Sequence, residues 1–213
     1  MTIRKLIQTA AFAAAFCTAG SAFAGVNLIV NGSFEADAQA PGTEGIYANL
    51  TGWTGGDYGI ELRNALYGNA ADGSNYVELD TTHNSLMFQK IDTVPGQTYT
   101  LTFAYSPRMN VAKDSNGIKV FWNGDEVATE KAKGAKNGND WTTYTITVVG
   151  GLKDKSKLEF KAIGADDGVG GGLDAISLTS AVPEPAAYSM IMIGVGLVGL
   201  ASRRKQKNPK FQA

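Results

Sequence analysis

The sequence predicts an all-β protein built as a two-sheet sandwich, for three reasons. In the central part of the chain apolar residues alternate with polar ones, and no stretch keeps the helical i, i+3, i+4, i+7 spacing over three turns. The same part is rich in Gly, Thr, Asn and Tyr, which favour turns and strands. About ten short apolar segments are separated by turn residues, a spacing typical of sandwiches.

The clearest strand is Thr98–Ser106, which follows the turn dipeptide Pro95-Gly96. Its aromatic and leucine side chains stand at alternate positions, so one of its faces is buried. Asn123-Gly124 predicts a tight hairpin, because both residues accept the positive φ of a primed turn. The remaining predicted strands are short segments bounded by turn residues: 26–30, 33–35, 50–53, 58–62, 76–80, 86–91, 118–122, 126–129, 141–149, 157–163 and 173–178.

Residues 1–24 predict a secretory signal peptide. Arg4 and Lys5 precede an apolar segment, and small residues stand on both sides of Phe23, which predicts cleavage after Ala24. This feature implies export through the Sec machinery and removal by signal peptidase. Cys17, the only cysteine, lies in this segment, so the mature chain has no disulfide.

The C-terminal part, residues 182–207, combines a proline-bracketed motif, the uncharged segment 186–201 and a basic cluster. A helix of sixteen residues would be roughly 24 Å long, short for a bilayer core of about 30 Å. We therefore predict a single, marginal transmembrane helix over 186–201, with the basic end and the tail 208–213 in the cytoplasm. The motif and the arginines that follow the helix are Val182, Pro183, Glu184, Pro185, Arg203 and Arg204.

This order of motif, apolar segment and Arg-rich end resembles the PEP-CTERM sorting signal. The resemblance implies that an exosortase, a membrane-embedded cysteine protease, recognises the motif and removes the tail. The protein would then be held briefly in the inner membrane before it reaches the cell surface or the extracellular space. The alternative is an ordinary C-terminal anchor that follows a proline-rich stalk.

Residues 25–181 are long enough for one domain with a sizeable core. They carry 12 Lys and Arg against 19 Asp and Glu, a net charge of −7. An acidic domain does not favour nucleic acid or anionic lipid as a partner. It is compatible with a hard cation such as calcium.

Four motifs resemble galactose-binding-like jelly rolls, a group that includes plant cell-wall jelly-roll proteins and carbohydrate-binding modules. They are the segments 27–35 (NLIVNGSFE), 52–53 (GW), 72–80 (DGSNYVELD) and 172–178 (GLDAISL). The resemblance implies a jelly-roll sandwich whose first and last strands lie together. It also implies a carbohydrate-binding role, often with a structural calcium ion near those strands.

Glu35 and Asp174 are the candidate calcium ligands. Closure of the sandwich would bring the two carboxylates together, and a cation between them would remove their repulsion. The alternative is that Glu35 caps a turn and Asp174 is a solvated bulge residue. Ala175 stands where related proteins often have Asp or Asn, so one possible ligand is absent.

Trp53, Tyr58 and Arg63 are the candidate carbohydrate-binding residues. Sugar binding needs an aromatic platform with polar side chains that reach hydroxyl groups, and these residues fall in a loop-rich region with Tyr67 nearby. The alternative for Trp53 is a place in the core.

The sequence does not predict an enzyme. The segment 78–83 is similar to the Glu-x-Asp-x-x-Glu signature of jelly-roll glucanases, but His83 replaces the second glutamate. His83 is also the only histidine, so a nucleophilic triad with a second His cannot be built. We expect a non-catalytic surface or extracellular-matrix protein that associates with exopolysaccharide. The alternatives are a purely structural matrix protein without saccharide affinity and, less favoured, a glycoside hydrolase.

Overall fold

The computed structural model of the protein describes residues 25–181. The predicted signal peptide 1–24, the sorting segment 182–207 with its helix 186–201, and the tail 208–213 lie outside these residues. Between residues 25 and 181 no helix is long and apolar enough to cross a membrane.

The described residues form twelve β-strands and no helix. In chain order the strands are β1 (Thr43–Tyr47), β2 (Asn49–Leu50), β3 (Trp53–Gly55), β4 (Ile60–Asn64), β5 (Asn75–Glu78), β6 (Leu86–Asp92), β7 (Thr98–Ser106), β8 (Gly117–Trp122), β9 (Asp125–Lys131), β10 (Thr142–Val149), β11 (Lys155–Ala162) and β12 (Gly172–Ser180).

The strands make two antiparallel sheets of six strands each. Sheet A has the order β1-β4-β5-β12-β7-β10, and sheet B has the order β2-β3-β6-β11-β8-β9. Strands that are distant in the sequence are neighbours in both sheets, as in a jelly-roll sandwich. The predicted all-β, two-sheet fold is confirmed.

One hydrophobic core fills the space between the sheets, and aromatic rings form its centre. The Trp53 ring lies 6.0 Å from that of Phe34 and 6.2 Å from that of Phe160, between ring centroids. Phe103 of β7 meets Phe160 of β11 edge-on at 5.4 Å. These rings therefore join sheet A to sheet B across the interior.

Several strand predictions are confirmed by the structure. Strand β7 has the predicted bounds, and β8 and β9 form the predicted hairpin. Asn123 and Gly124 have φ values of 55° and 94°, as a primed turn requires.

Two parts of the strand prediction are wrong. Residues 26–30 and 33–35 form no strand. The N–H of Val30 donates to Oε1 of Gln89 at 2.9 Å and its carbonyl accepts from Nε2 at 3.0 Å, so a side chain replaces a strand partner. Conversely, β1 lies between the predicted strands 33–35 and 50–53, where no strand was predicted, and its pairing with β4 supplies the hydrogen bonds that make it a strand.

The first described segment nevertheless lies beside the last strand, as the resemblance implied. The N–H of Leu28 donates to the Leu178 carbonyl at 2.8 Å, and the N–H of Ile176 donates to the Gly32 carbonyl at 2.9 Å. A Cβ atom at Gly32 would collide with the Ile176 carbonyl, so this close approach requires glycine.

Replacing Trp53 is expected to destabilise the core. Trp53→Ala should lower the free energy of unfolding by about 3–5 kcal/mol, because it leaves a cavity beside Phe34 and Phe160. Trp53→Phe should cost less, since most of the packing is kept. Urea unfolding measures both, and Leu152→Ala, at a fully exposed position, should change the value by only about 0.5 kcal/mol. A Trp53→Ala protein as stable as that control would contradict the core placement.

Candidate functional site

The outward side of sheet A carries four buried polar side chains, which we call the charged face: Glu61 and Arg63 of β4, and Tyr76 and Glu78 of β5. Glu61 lies opposite Glu78 and Arg63 lies opposite Tyr76 in the strand register. Because side chains alternate along a strand, the intervening leucine and valine point into the core instead. The exposed fraction of these four residues is 6% or less. Covering loops must therefore keep water away from them.

Arg63 is the centre of this charged face. Its Nε lies 2.6 Å from Oε1 of Glu61 and 3.2 Å from Oε2 of Glu44, and its Nη2 contacts Oε2 of Glu78. A buried guanidinium is tolerated only when it is paired in this way, and its planar fork of donors suits several carboxylates at once. Of these three partners, Glu44 is the one that reaches solvent, with 42% of its side chain exposed.

Glu78 is the second key residue, and it is completely buried. Besides Arg63 it contacts Arg108, whose Nη1 lies 3.5 Å from Oε2, and the N–H of Gly170 donates to its Oε1. Arg108 and Gly170 lie on loops that are distant from β5 in the sequence. The Glu78 carboxylate therefore holds two covering loops against the sheet.

Two aromatic residues, Tyr67 and Trp141, border this network and form what we call the aromatic rim. The Tyr67 ring lies 4.8 Å from the guanidinium carbon of Arg63 and 4.2 Å from that of Arg108, within cation–π range. Trp141 meets Tyr76 edge-on at 5.6 Å, and its indole N–H donates to the Asn69 carbonyl at 2.9 Å. Tyr67 and Trp141 are partly exposed, so the aromatic rim faces solvent.

Burial governs the protonation of the charged face. It raises the pKa of Glu78 well above its usual range, although Arg63 and Arg108 act in the opposite direction. Burial likewise raises the pKa of Glu61. The Tyr76 hydroxyl is also buried, and burial raises its pKa as well. The charged face thus consists of polar groups that are shielded from water.

The structure does not bring the three predicted carbohydrate-binding residues together. Trp53 is 2% exposed in the core, and its indole N–H donates to the Asn31 carbonyl at 3.0 Å. Tyr58 is 46% exposed and lies in a loop, where its ring centroid is 4.7 Å from that of His83. Only Arg63 belongs to the charged face.

Glu35 and Asp174 have a common role in the structure, because both hold the loop 71–75. Oε1 of Glu35 accepts two main-chain N–H groups of this loop at 2.7 and 2.6 Å. Oδ2 of Asp174 accepts two more at 2.8 and 2.9 Å. The two carboxylates therefore act on one segment through hydrogen bonds.

The negative charges of these two residues suit a calcium ion, but two carboxylates supply too few oxygen ligands for it. Asp174 is completely buried, neither carboxylate has a Lys, Arg or His partner among the described residues, and burial raises the pKa of Asp174 to about 7. Calcium takes about six to eight oxygen ligands. Within residues 25–181 no three His, Cys, Asp or Glu side chains converge as a metal site would need. Calcium binding stays a prediction.

Sequence reasoning missed most of the charged face. Alternation within β4 places Glu61 and Arg63 on one side, but the pairing of β4 with β5 is needed to add Glu78. Arg108 and Trp141 come from loops on either side of β8 and β9, and no local pattern marks them as neighbours of Arg63.

Residues 181–205 match the family described as PEP-CTERM protein-sorting motif. The chain carries a PEP-CTERM sorting motif. This confirms the first resemblance, and the motif implies export to the cell surface. Apart from Ala181, the matched residues lie outside the part that the structure describes.

The chain also has relatives in two much longer proteins. It is 30% identical over 162 residues to a multifunctional-autoprocessing repeats-in-toxin of Vibrio vulnificus and 29% identical over 162 residues to that of Vibrio cholerae. The alignments cover 75% of this chain but only 3% of either toxin. The chain therefore spans a small part of the curated relatives it matches.

Solved structures confirm the jelly-roll fold. A cyclase from Fischerella sp. TAU has a TM-score of 0.54 at 16% identity, over 75% of this chain and 99% of the cyclase. TmCBM61 in complex with β-1,4-galactotriose has a TM-score of 0.52 at 18% identity, over 73% of this chain and 99% of the module. The protein thus has the fold of carbohydrate-binding modules, and identities this low show the fold alone.

Glu78→Gln is expected to reduce the pH dependence of stability. Because the pKa of Glu78 is raised in the folded state, the folded protein keeps a proton that the unfolded chain releases above the ordinary value of 4.5. The free energy of unfolding should therefore fall as pH rises from about 4.5 through the raised pKa, and glutamine removes this contribution.

Urea unfolding between about pH 4 and pH 8 measures how steeply the free energy of unfolding changes with pH in the wild type and in the Glu78→Gln variant. Glu126→Gln serves as the control, since Glu126 is exposed on β9 and its hydrogen bond from Lys119 lowers its pKa. Equal slopes above pH 4.5 for the wild type and Glu78→Gln would contradict the prediction.

Proposed function

We propose that this protein is a non-catalytic exported protein that binds polysaccharide at the aromatic rim bordering the charged face of sheet A. The observation that carries the proposal is the network of Arg63, Glu78 and Arg108 beneath the partly exposed ring of Tyr67. Exopolysaccharide is the ligand that we propose, with the protein at the cell surface or in the extracellular matrix.

The energetics of the network support a binding role. Buried ion pairs seldom add stability, because apolar residues of similar volume would serve the core as well or better. The groups of this network that do reach solvent, beside aromatic planes, offer what a sugar needs, namely hydrogen-bond partners for hydroxyls and faces for C–H groups. Arg108 and Glu44 reach solvent and would contact the ligand, with 14% and 42% of their side chains exposed.

The fold supports the same proposal. TmCBM61, which shares the jelly-roll fold, is bound to β-1,4-galactotriose. We infer no shared specificity from this likeness, but it makes β-1,4-galactan a natural member of a test panel.

The geometry favours binding over catalysis. Glycoside hydrolysis requires two carboxyl groups that reach the scissile bond. Glu61 and Glu78 are both buried and both engaged with Arg63, so neither is presented to a ligand. The structural alternative, a matrix protein without saccharide affinity, is kept as an outcome of the binding experiment.

The sorting motif supports the route of export. We propose that Sec and signal peptidase deliver the chain and that it is anchored briefly in the inner membrane. An exosortase then recognises Val182, Pro183, Glu184 and Pro185 with the arginines Arg203 and Arg204. The acidic domain, with its net charge of −7, is not expected to bind nucleic acid.

Calcium at Glu35 and Asp174 is a separate hypothesis. The buried Asp174 carboxylate favours a cation, and main-chain carbonyls would have to complete the shell. If the ion binds the folded state, calorimetric melting with calcium should give a higher midpoint than melting with a chelator. Equal midpoints would reject the hypothesis.

Replacing the aromatic rim is expected to weaken saccharide binding. Tyr67→Ala and Trp141→Ala should each raise the dissociation constant by about tenfold or more, because each removes a stacking surface at the charged face. The measurement is a glycan array followed by titration, with β-1,4-galactan and the organism's own exopolysaccharide included.

Tyr58→Ala is the matched control, because Tyr58 is exposed but stacks on His83 outside the charged face. It should bind as the wild type does. Loss of binding in Tyr58→Ala alone would move the site away from the charged face, and a wild type that binds no glycan would support the structural alternative.

Mass spectrometry of the protein recovered from envelope or medium tests the sorting proposal. We expect a chain that begins at Gly25 and lacks the residues beyond the motif. Glu184→Ala should keep the C-terminal tail, whereas Lys210→Ala, beyond the matched residues, should not. A wild-type protein that retains its tail would contradict processing at the motif.

A further inference from the structure

Strand β10 is the outer strand of sheet A on the side of β7. No strand among residues 25–181 pairs with its other edge. Its eight residues, Thr142–Val149, read TTYTITVV and contain no charge, proline or glycine. Its pairing with β7 runs through all eight residues without a register shift. Such an edge presents unpaired main-chain groups and is a template for another strand.

The other outer strands have features that discourage pairing. Strand β9 carries four charged residues among its seven, β2 has two residues, and β1 has five with Gly45 in its middle. Charges and short length are the usual means by which proteins protect sheet edges. Strand β10 has neither, so its edge differs from the other three in the same molecule.

The main chain of β10 directs hydrogen-bonding groups outward at alternate residues. The N–H of Gly150 donates to the Gln97 carbonyl at 2.8 Å, so Gly150 faces β7. In an antiparallel pair the main-chain N–H and C=O groups of successive residues point alternately toward and away from the partner strand. The main-chain groups of Thr143, Thr145 and Thr147 therefore point away from β7. The same alternation turns the Val149 carbonyl outward, where it accepts the Trp122 indole N–H at 2.7 Å.

The sequence of β10 is self-complementary about Thr145. If two copies pair antiparallel with Thr145 opposite Thr145, then the side chain of Thr143 lies opposite that of Thr147 on the solvent-facing side of the sheet. On the side of the sheet that faces the core, Tyr144 lies opposite Ile146. Thr–Thr pairs and aromatic pairs with β-branched residues are favourable across strands. This register also makes Thr145 a hydrogen-bonded pair, because its main-chain groups face outward.

We propose that β10 binds β10 of a second copy of this chain, forming a twofold dimer with sheet A continuous across both copies. A twofold axis through Thr145 makes the interface isologous, with the same residues on both sides. The side chains of Thr143, Thr145 and Thr147 are exposed in the single chain and become cross-strand neighbours in the dimer. The pairing stops before Val149, whose carbonyl is already used by Trp122.

Sedimentation velocity on the protein recovered from producing cells tests the proposal. The wild type should be a dimer that dissociates on dilution. Thr145→Lys and Thr145→Glu should each raise the dissociation constant by about tenfold or more, since like charges then face each other across the axis. An equimolar mixture of the two variants should recover the dimer, because opposite charges meet at the same position.

Thr129→Lys is the matched control, as Thr129 is an exposed threonine on β9, the outer strand of sheet B. It should dimerise as the wild type does, and thermal melting checks that every variant is folded. A monomeric wild type would overturn the proposal. The proposal would also be overturned if Thr145→Lys still dimerised or if Thr129→Lys lost dimerisation to the same extent. The same holds if the mixture of Thr145→Lys and Thr145→Glu stayed monomeric.

Discussion

Strand β12 is the constraint on which sheet A depends. Near its start it pairs with both β5 and β7, and further along it exchanges hydrogen bonds with the first described segment around Leu28 and Gly32. Asp174, on the same strand, holds the loop 71–75 that leads into β5. Without β12 the two halves of sheet A would have no common strand. The charged face, which needs β4 and β5 in register under loops from the other half, would lose its cover.

The charged face shows how a sandwich can carry polar chemistry without an open cleft. Arg63 and Glu78 satisfy one another beneath covering loops, and Arg108 and Gly170 bring two of these loops to the same carboxylate. Because the network is desolvated, its geometry is held rigidly, and the cost of desolvation is offset only when every member is paired. A saccharide that binds at the partly exposed aromatic rim, as we propose, would meet a surface whose shape is already set, and a rigid surface loses little entropy on binding.

The sorting segment and the sandwich are separate sources of function. The PEP-CTERM motif at 181–205 is read as a linear sequence, and it implies export whatever the domain before it does. The sandwich supplies the surfaces that we propose to act after export, namely the charged face with its aromatic rim and the β10 edge. The charged face lies on β4 and β5 and the β10 edge lies at the opposite end of sheet A, although Trp141 of the aromatic rim directly precedes β10.

The sequence by itself determined the all-β class, the hairpin at Asn123-Gly124 and the PEP-CTERM motif, because alternation, turn chemistry and linear motifs are local properties. Only the tertiary structure decided that Trp53 fills the core and that Arg63 meets Glu78 and Arg108. Those outcomes depend on which distant strands become neighbours and on which loops cover them. Strand order is set by the packing of the whole chain, so residues far apart in sequence acquire a common site only after folding.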